Sequence, residues 1–215
     1  MDRTVGKLVI GLESGLEGGS ISVLENGHEI DFAKGSGNIS KTEDLLALLE
    51  SLLKKNRLQK KRIGLIAVSD APGSATGLRI GQSIARGLGA AFGAEVRQIS
   101  ILDALAIRAE REGIFIVALE ASKNGLFFKR YRLKNGEIRG VSEIEKLPGI
   151  YDFSEKLKSF GTDNINLICT ENISRQLSEY TESKEFVNKS HIITVKENFG
   201  KILGIASTSQ MRLII

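Results

Sequence analysis

The chain has 215 residues, of which 41% are hydrophobic and 26% charged, with a net charge of +4; that is enough apolar matter for one large core or two small ones and excludes a disordered chain. No run of about 18 apolar residues occurs and the start MDRTVGKLVIG lacks a signal-peptide pattern, so no membrane partner is expected and the cytoplasm is the expected location. One cysteine, Cys169, and two histidines cannot supply an internal disulfide or the usual zinc ligand sets.

In chain order, KLVIGL (7–12) reads as a buried strand and GSISVLE (19–25) as a strand with one exposed face. Asn26-Gly27 has the composition of a type I′ turn, which returns HEIDFAK (28–34) antiparallel. Ser40-Lys41-Thr42-Glu43 has capping-box spacing ahead of a helix carrying Leu45, Leu46, Leu48, Leu49, Leu52 and Leu53. RIGLIAVS (62–69) is the next strand, 76–92 a helix, and 101–111 a short connecting helix.

The second half repeats the first. IFIVALE (114–120), GLFFKRYRL (125–133), the turn Asn135-Gly136 and EIRGVS (137–142) form another three-strand meander, followed by a helix near 151–160, the strand NINLICT (164–170) and a helix at 172–183. HIITV (191–195) and a C-terminal helix near 196–209 complete the chain. The segment GLES (11–14) matches ALEA (118–121), with the Asn-Gly turns at nearly the same offset, which marks a duplication. Two βββαβα copies predict an α/β fold of duplicated actin-like, ribonuclease-H-like lobes. Their expected limits are 1–102 and 103–195, with a C-terminal segment 196–215 that packs back on the first lobe.

The glycine-rich stretch SDAPGSATGLRIG (69–81) fits none of the specific phosphate or nucleophile motifs. A Walker loop requires GxxxxGK[ST] and a dinucleotide loop GxGxxG, whereas Gly73, Gly77 and Gly81 are spaced by four. A hydrolase elbow requires GxSxG, and Ser74 follows Gly73 directly. Ser74 or Thr76 can cap the following helix, whose free N–H groups leave generic anion binding open. Within the helix, Gly77, Gly81, Ala85 and Gly89 form a ridge nearly devoid of side chains. Interior glycines cost about 1 kcal/mol each against alanine, so close packing is expected there, against either the leucine helix or a helix of a partner.

The basic segment Lys54, Lys55, Arg57, Lys60, Lys61, Arg62 reads first as a solvated helix end, with RNA contact as the alternative.

The sequence from Ala71 to Gly81, with Pro72, Gly73, Ser74, Thr76 and Arg79, followed by SILDALA (100–106), resembles the TsaB (YeaZ) family, whose pattern runs roughly GPGSFTGLRIG and later SSLDALA. The resemblance implies a duplicated actin-like fold without catalytic residues, cofactor or metal. It also implies a scaffold or activator role toward a TsaD-like catalytic subunit and a TsaE-like ATPase, for threonylcarbamoylation of tRNA adenosine 37; tRNA is met through the complex. The implied partner surface consists of Leu45, Leu49, Leu52 and Leu53 with Gly77, Gly81, Ala85 and Gly89, and the same helices allow a homodimer. Departures from the family pattern are Leu12-Glu13-Ser14 for Asp-Thr-Ser, Ala71 for the first glycine, Ala75 for the aromatic, Glu120-Ala121-Ser122 for Asp-Ala-Arg, and the ending QMRLII. The competing class is an enzyme, either an actin-like ATPase or a metallopeptidase. Glu13, Glu17 and Glu120 are the acidic candidates for the first, while HExxH is absent for the second.

Overall fold

The computed structural model describes residues 7–16, 19–35, 41–121, 125–160, 166–179, 191–196, 199–208 and 212–214. Contacts divide the chain into two compact units, Met1–Ala104 with Glu197–Ser209, and Leu105–Lys196 with Gln210–Ile215.

The first unit holds β1 (Leu8–Glu13), β2 (Ser20–Glu25), β3 (His28–Lys34), α1 (Lys41–Lys55), β4 (Ile63–Ser69), α2 (Ala75–Phe92) and β5 (Glu95–Ile99). Helix α3 (Ile101–Ala106) carries the chain toward the second unit. Its sheet has the order β3-β2-β1-β4-β5, with β1 antiparallel to β2 and parallel to β4. Strand β1 is buried along its whole length because both faces of the sheet are covered. On one face Leu8, Ile10, Leu12, Ile21 and Val23 meet α1 and α2; on the other, Val9, Leu24 and Leu65 meet Ile205 of α6 (Phe199–Thr208).

The second unit holds β6 (Gly113–Glu120), β7 (Leu126–Lys134), β8 (Glu137–Gly140), β9 (Glu145–Leu147), α4 (Ile150–Ser159), β10 (Asn166–Thr170), α5 (Glu171–Glu179), β11 (His191–Val195) and β12 (Arg212–Ile214). Its order, β11-β10-β6-β7-β8-β12, reproduces the first sheet with β12 added at one edge, since β6 is antiparallel to β7 and parallel to β10, and β9 pairs antiparallel with β7 beside this path. Phe153 and Leu157 of α4 and Ile173 and Leu177 of α5 pack on Ile116, Ala118, Leu126, Phe128, Leu167 and Cys169. On the opposite face Phe115 stacks on Tyr131 at 5.4 Å between ring centres.

Both predicted hairpins form with the backbone that a type I′ turn demands: φ is 52° and 77° at Asn26 and Gly27, and 53° and 74° at Asn135 and Gly136. Glu13 ends β1 and Glu120 ends β6, so the GLES/ALEA match falls on equivalent strand ends.

Several boundaries differ from expectation. Strand β5 was not predicted, because EVRQI offers only two partly buried apolar side chains; its parallel pairing with β4 makes it a strand. It is the counterpart of β11, so each copy extends to βββαβ followed by two helices and one further strand between them. Strands β9 and β12 were likewise too short to read from periodicity. The connecting helix expected over 101–111 stops at Ala106, and the third strand expected over 137–142 stops at Gly140. The segment expected as one C-terminal piece, 196–215, divides: α6 packs on β1, β2 and β4, while β12 joins β8 in the second sheet. The capping box at Ser40, the carboxylate Glu17 and the end of the 172–183 helix lie outside the described residues.

Candidate interaction surface

After β4 the chain turns through Asp70, Ala71, Pro72 and Gly73 into α2, with a cis bond between Ala71 and Pro72. Ser74 is the N-cap: its Oγ accepts a hydrogen bond from the Gly77 N–H at 3.3 Å. Thr76, the other cap considered, stands exposed in the first turn of the helix. The Ile101 N–H donates to the Ala71 carbonyl at 2.7 Å and so joins the two halves of the signature, APGSATGLRIG and SILDALA.

The glycines of this turn are filled from within the chain. The turn Ser14–Leu16 that follows β1 lies directly on α2. The Ser74 N–H donates to the Gly15 carbonyl at 2.7 Å, and Ser14 Oγ donates to the Gly77 carbonyl at 2.8 Å. A Cβ on Gly73 would stand 2.7 Å from the Gly15 carbonyl oxygen, and one on Gly77 or Gly81 would overlap Ser14 itself. Gly89 meets Val96 of β5 at 2.5 Å on the same construction, and Ala85 is fully buried.

This corrects the partner surface expected from the ridge. Gly77, Gly81, Ala85 and Gly89 are the means by which α2 approaches a turn and a strand of its own unit. Leu45, Leu49, Leu52 and Leu53 are 2–4% exposed and belong to the same core. Missing side chains signalled a close approach correctly, but spacing does not say what approaches. The outward faces of these helices carry different residues. On α1 Leu46 is 45% exposed. On α2 Arg79, Ser83, Gly87 and Ala91 recur every fourth position and are exposed, with Arg86 and Ala90 beside them. Among the described residues, nothing beyond the chain neighbours and helix backbone of Gly87 lies within 4 Å of the place where a Cβ would be.

The carboxylates considered for nucleotide chemistry are engaged locally. Glu13 is 1% exposed and its Oε1 accepts the Leu16 N–H at 2.7 Å, closing the turn that packs on α2. Glu120 accepts from the Asn172 and Gln176 side-chain amides, the latter at 2.9 Å, and so ties β6 to α5. His28 is exposed at the first hairpin, and His191 faces Glu110 at 3.7 Å. Among the described residues no three His, Cys, Asp or Glu side chains group as metal ligands, and no helix is long and apolar enough to cross a membrane. Burial pushes the Cys169 thiol up to about 12.

Three of the six basic residues near the end of α1 have acidic partners: Lys55 pairs with Asp31 at 2.8 Å, Lys60 with Glu50 at 3.7 Å, and Arg62 with Glu25. Asp31 also accepts from the Asn56 amide at 2.8 Å, and the Lys55 and Asn56 hydrogen bonds hold its carboxyl below the usual carboxylate range. Half of the basic segment therefore fastens α1 and β4 to strands β2 and β3 or to the helix itself.

A family model described as TsaD, tRNA N6-adenosine threonylcarbamoyltransferase, matches residues 40–146. The chain is 22% identical over 195 residues to the tRNA threonylcarbamoyladenosine biosynthesis protein TsaB of Buchnera aphidicola subsp. Acyrthosiphon pisum, covering 89% of this chain and 82% of that one. The chain is similar to proteins named TsaB (YeaZ). YeaZ from Pseudomonas aeruginosa superimposes with a TM-score of 0.61 at 20% identity, over 94% of this chain and 91% of that chain. A Bacteroides thetaiotaomicron protein described as having an actin-like ATPase fold and unknown function gives 0.55 at 13% identity, over 97% and 99%. The fold is the duplicated actin-like one.

Proposed function

We propose that this TsaB-like chain takes part in the biosynthesis of threonylcarbamoyladenosine in tRNA, as a non-catalytic subunit that docks on a TsaD-like enzyme through the outward faces of α1 and α2. The names of its relatives support the process. The observation that carries the docking surface is Gly87. A mid-helix glycine costs about 1 kcal/mol against alanine, and among the described residues nothing occupies the space beside it. With Ser83 and Ala91 one turn to either side, it leaves a shallow groove into which the ridge of another helix fits at short range. Leu46 adds exposed apolar area on the neighbouring helix.

The non-catalytic role is supported by the use to which the acidic residues are put. Glu13 closes its own turn and Glu120 holds a neighbouring helix, so neither is presented to a phosphate or a metal. The chain's contribution is to hold the TsaD-like subunit in its active arrangement, while a TsaE-like ATPase supplies the nucleotide step.

The test is reconstitution. The TsaD-like and TsaE-like proteins of the same organism form modified tRNA at a rate that rises when this chain is added. The Gly87→Trp variant, folded by circular dichroism, fails to comigrate with the TsaD-like protein in size-exclusion light scattering and fails to stimulate. Modification that proceeds equally without the chain, or a Gly87→Trp variant that still forms the complex, refutes the reading. A wild-type chain that forms only homodimers through this face refutes it too.

A further inference from the structure

We infer that the β7–β8 hairpin of the second unit is a binding surface for an RNA phosphate backbone. This rests on the tRNA reading above for the choice of RNA among polyanions. Strand β7 has two kinds of neighbour on a single face. Leu126 and Phe128 enter the core beneath α4, where Phe128 packs on Phe153 with ring centres 5.5 Å apart. By strand alternation the next residues on that face are Arg130, Arg132 and Lys134, spaced roughly 6.8 Å apart, so the three charges span about 14 Å.

Register completes the surface. Arg132 stands directly opposite Arg139, and Lys134 opposite Glu137. These residues and Asn135 line a cavity of about 430 Å³. The adjacent part of the sheet is open too, because Ile114, opposite Arg132 on β6, is 43% exposed. Glu137 pairs with Arg139 at 3.1 Å, and Glu112 accepts the Asn135 N–H at 2.8 Å, so the cavity retains an excess of positive charge. Arg130 is held at one end, its guanidinium 4.7 Å from the centre of the Phe160 ring.

Two features point to an extended anion. Like charges placed directly across a strand pair are destabilising, and the Glu137 ion pair of Arg139 offsets only part of that, so the opposed arginines Arg132 and Arg139 keep a cost that a bridging anion removes. A row of cations repeating along a strand fits a chain of phosphates better than a single one, and arginine forks suit phosphate oxygens. The alternative basic segment at the end of α1 spends three of its six cations, Lys55, Lys60 and Arg62, on carboxylates, whereas on the hairpin Arg139 pairs with Glu137 and Arg132 and Lys134 remain for an anion.

The experiment measures binding of a fluorescently labelled unmodified tRNA transcript to the chain, alone and with the TsaD-like protein, across a salt series. Arg132→Gln/Arg139→Gln lowers affinity about tenfold and reduces the slope of log K against log salt by about 2, as loss of two phosphate contacts requires. Arg132→Lys/Arg139→Lys keeps the slope, and Lys54→Gln/Lys61→Gln changes binding less than the hairpin pair does. Unchanged affinity and slope in the Arg→Gln pair, no binding by wild-type protein in either setting, or displacement of tRNA by inorganic phosphate at constant ionic strength overturns the site. Failure of the reconstitution above while the hairpin variants still lose tRNA refutes only the functional reading. Normal stimulation with unaltered tRNA binding in those variants refutes only the hairpin.

Discussion

Two glycines six residues apart in α2 should respond to the same substitution with opposite signs. Replacing Gly81 by alanine puts a methyl group onto Ser14 Oγ and 3.0 Å from both Leu12 Cδ2 and Ser14 Cβ, in a fully buried contact. Relief requires Ser14 to rotate away, which breaks its hydrogen bond to the Gly77 carbonyl, a loss of about 1 kcal/mol. Overpacking of this kind costs typically 1–3 kcal/mol, and the gain in helix propensity returns about 1 kcal/mol. The sum is a net destabilisation of about 2 kcal/mol. Gly87→Ala meets no atom of the described residues within 4 Å outside its own stretch of helix, so only the propensity gain of about 1 kcal/mol remains. For a chain of this size, the two changes move the melting temperature by about −4 to −8 °C and +2 to +4 °C. Thermal and urea unfolding followed by circular dichroism, in which the first-unit transition is the one displaced, reads both shifts. A Gly81→Ala protein at least as stable as wild type would show that the ridge is not filled by Ser14, and would return it to the surface as a site for a partner.

The remaining expectations concern titration and exposure. Because burial raises the Cys169 thiol to about 12 from its ordinary value near 9.0, the folded chain keeps a proton that the unfolded thiol releases; stability falls as pH rises from about 9 toward about 12. Cys169→Ser removes that alkaline slope in urea titrations, and native protein at pH 8 reacts with a thiol reagent only after denaturant is added. Asp31 works in the opposite sense. Its carboxyl is lowered by Lys55 and Asn56, so its contribution is complete above the ordinary carboxylate value and is lost as pH falls through the lowered one. Amide exchange in the turn that closes α1, at Asn56, Arg57 and Leu58, accelerates across that acid range in wild type, while in Asp31→Asn it is already fast at neutral pH; equal protection in both proteins would remove Asp31 as the tether.

The legible part of this protein was whatever rests on local periodicity and turn chemistry. Asn26-Gly27 and Asn135-Gly136 announced two hairpins, since few other residue pairs accept positive φ at successive positions, and the hairpins fixed the two meanders and the repeat. The leucine helix and α2 were readable from spacing over many residues, whereas β5, β9 and β12 were not. Their strand state comes from a neighbouring strand's hydrogen bonds, and EVRQI has no alternation of its own. In the basic hairpin, RYRLKNGEIR does carry alternation, yet the facing of Arg132 by Arg139 exists only once the turn has set the register.

The glycine ridge divides the two kinds of information most clearly. Sequence alone determined that Gly77, Gly81, Ala85 and Gly89 share one helix face and that something must come within backbone distance of it, because the helix otherwise forfeits stability at each glycine. It also determined the family signature and the doubled fold. Only the tertiary structure decided that the closely packed neighbours are the chain's own Ser14–Leu16 turn and β5, and that the unfilled glycine is Gly87 on the opposite side. The physical reason is that a missing side chain specifies a distance of approach without naming what approaches, and for the Ser14–Leu16 turn that identity depends on contacts more than sixty residues apart in the chain, such as Ser14 with Gly77.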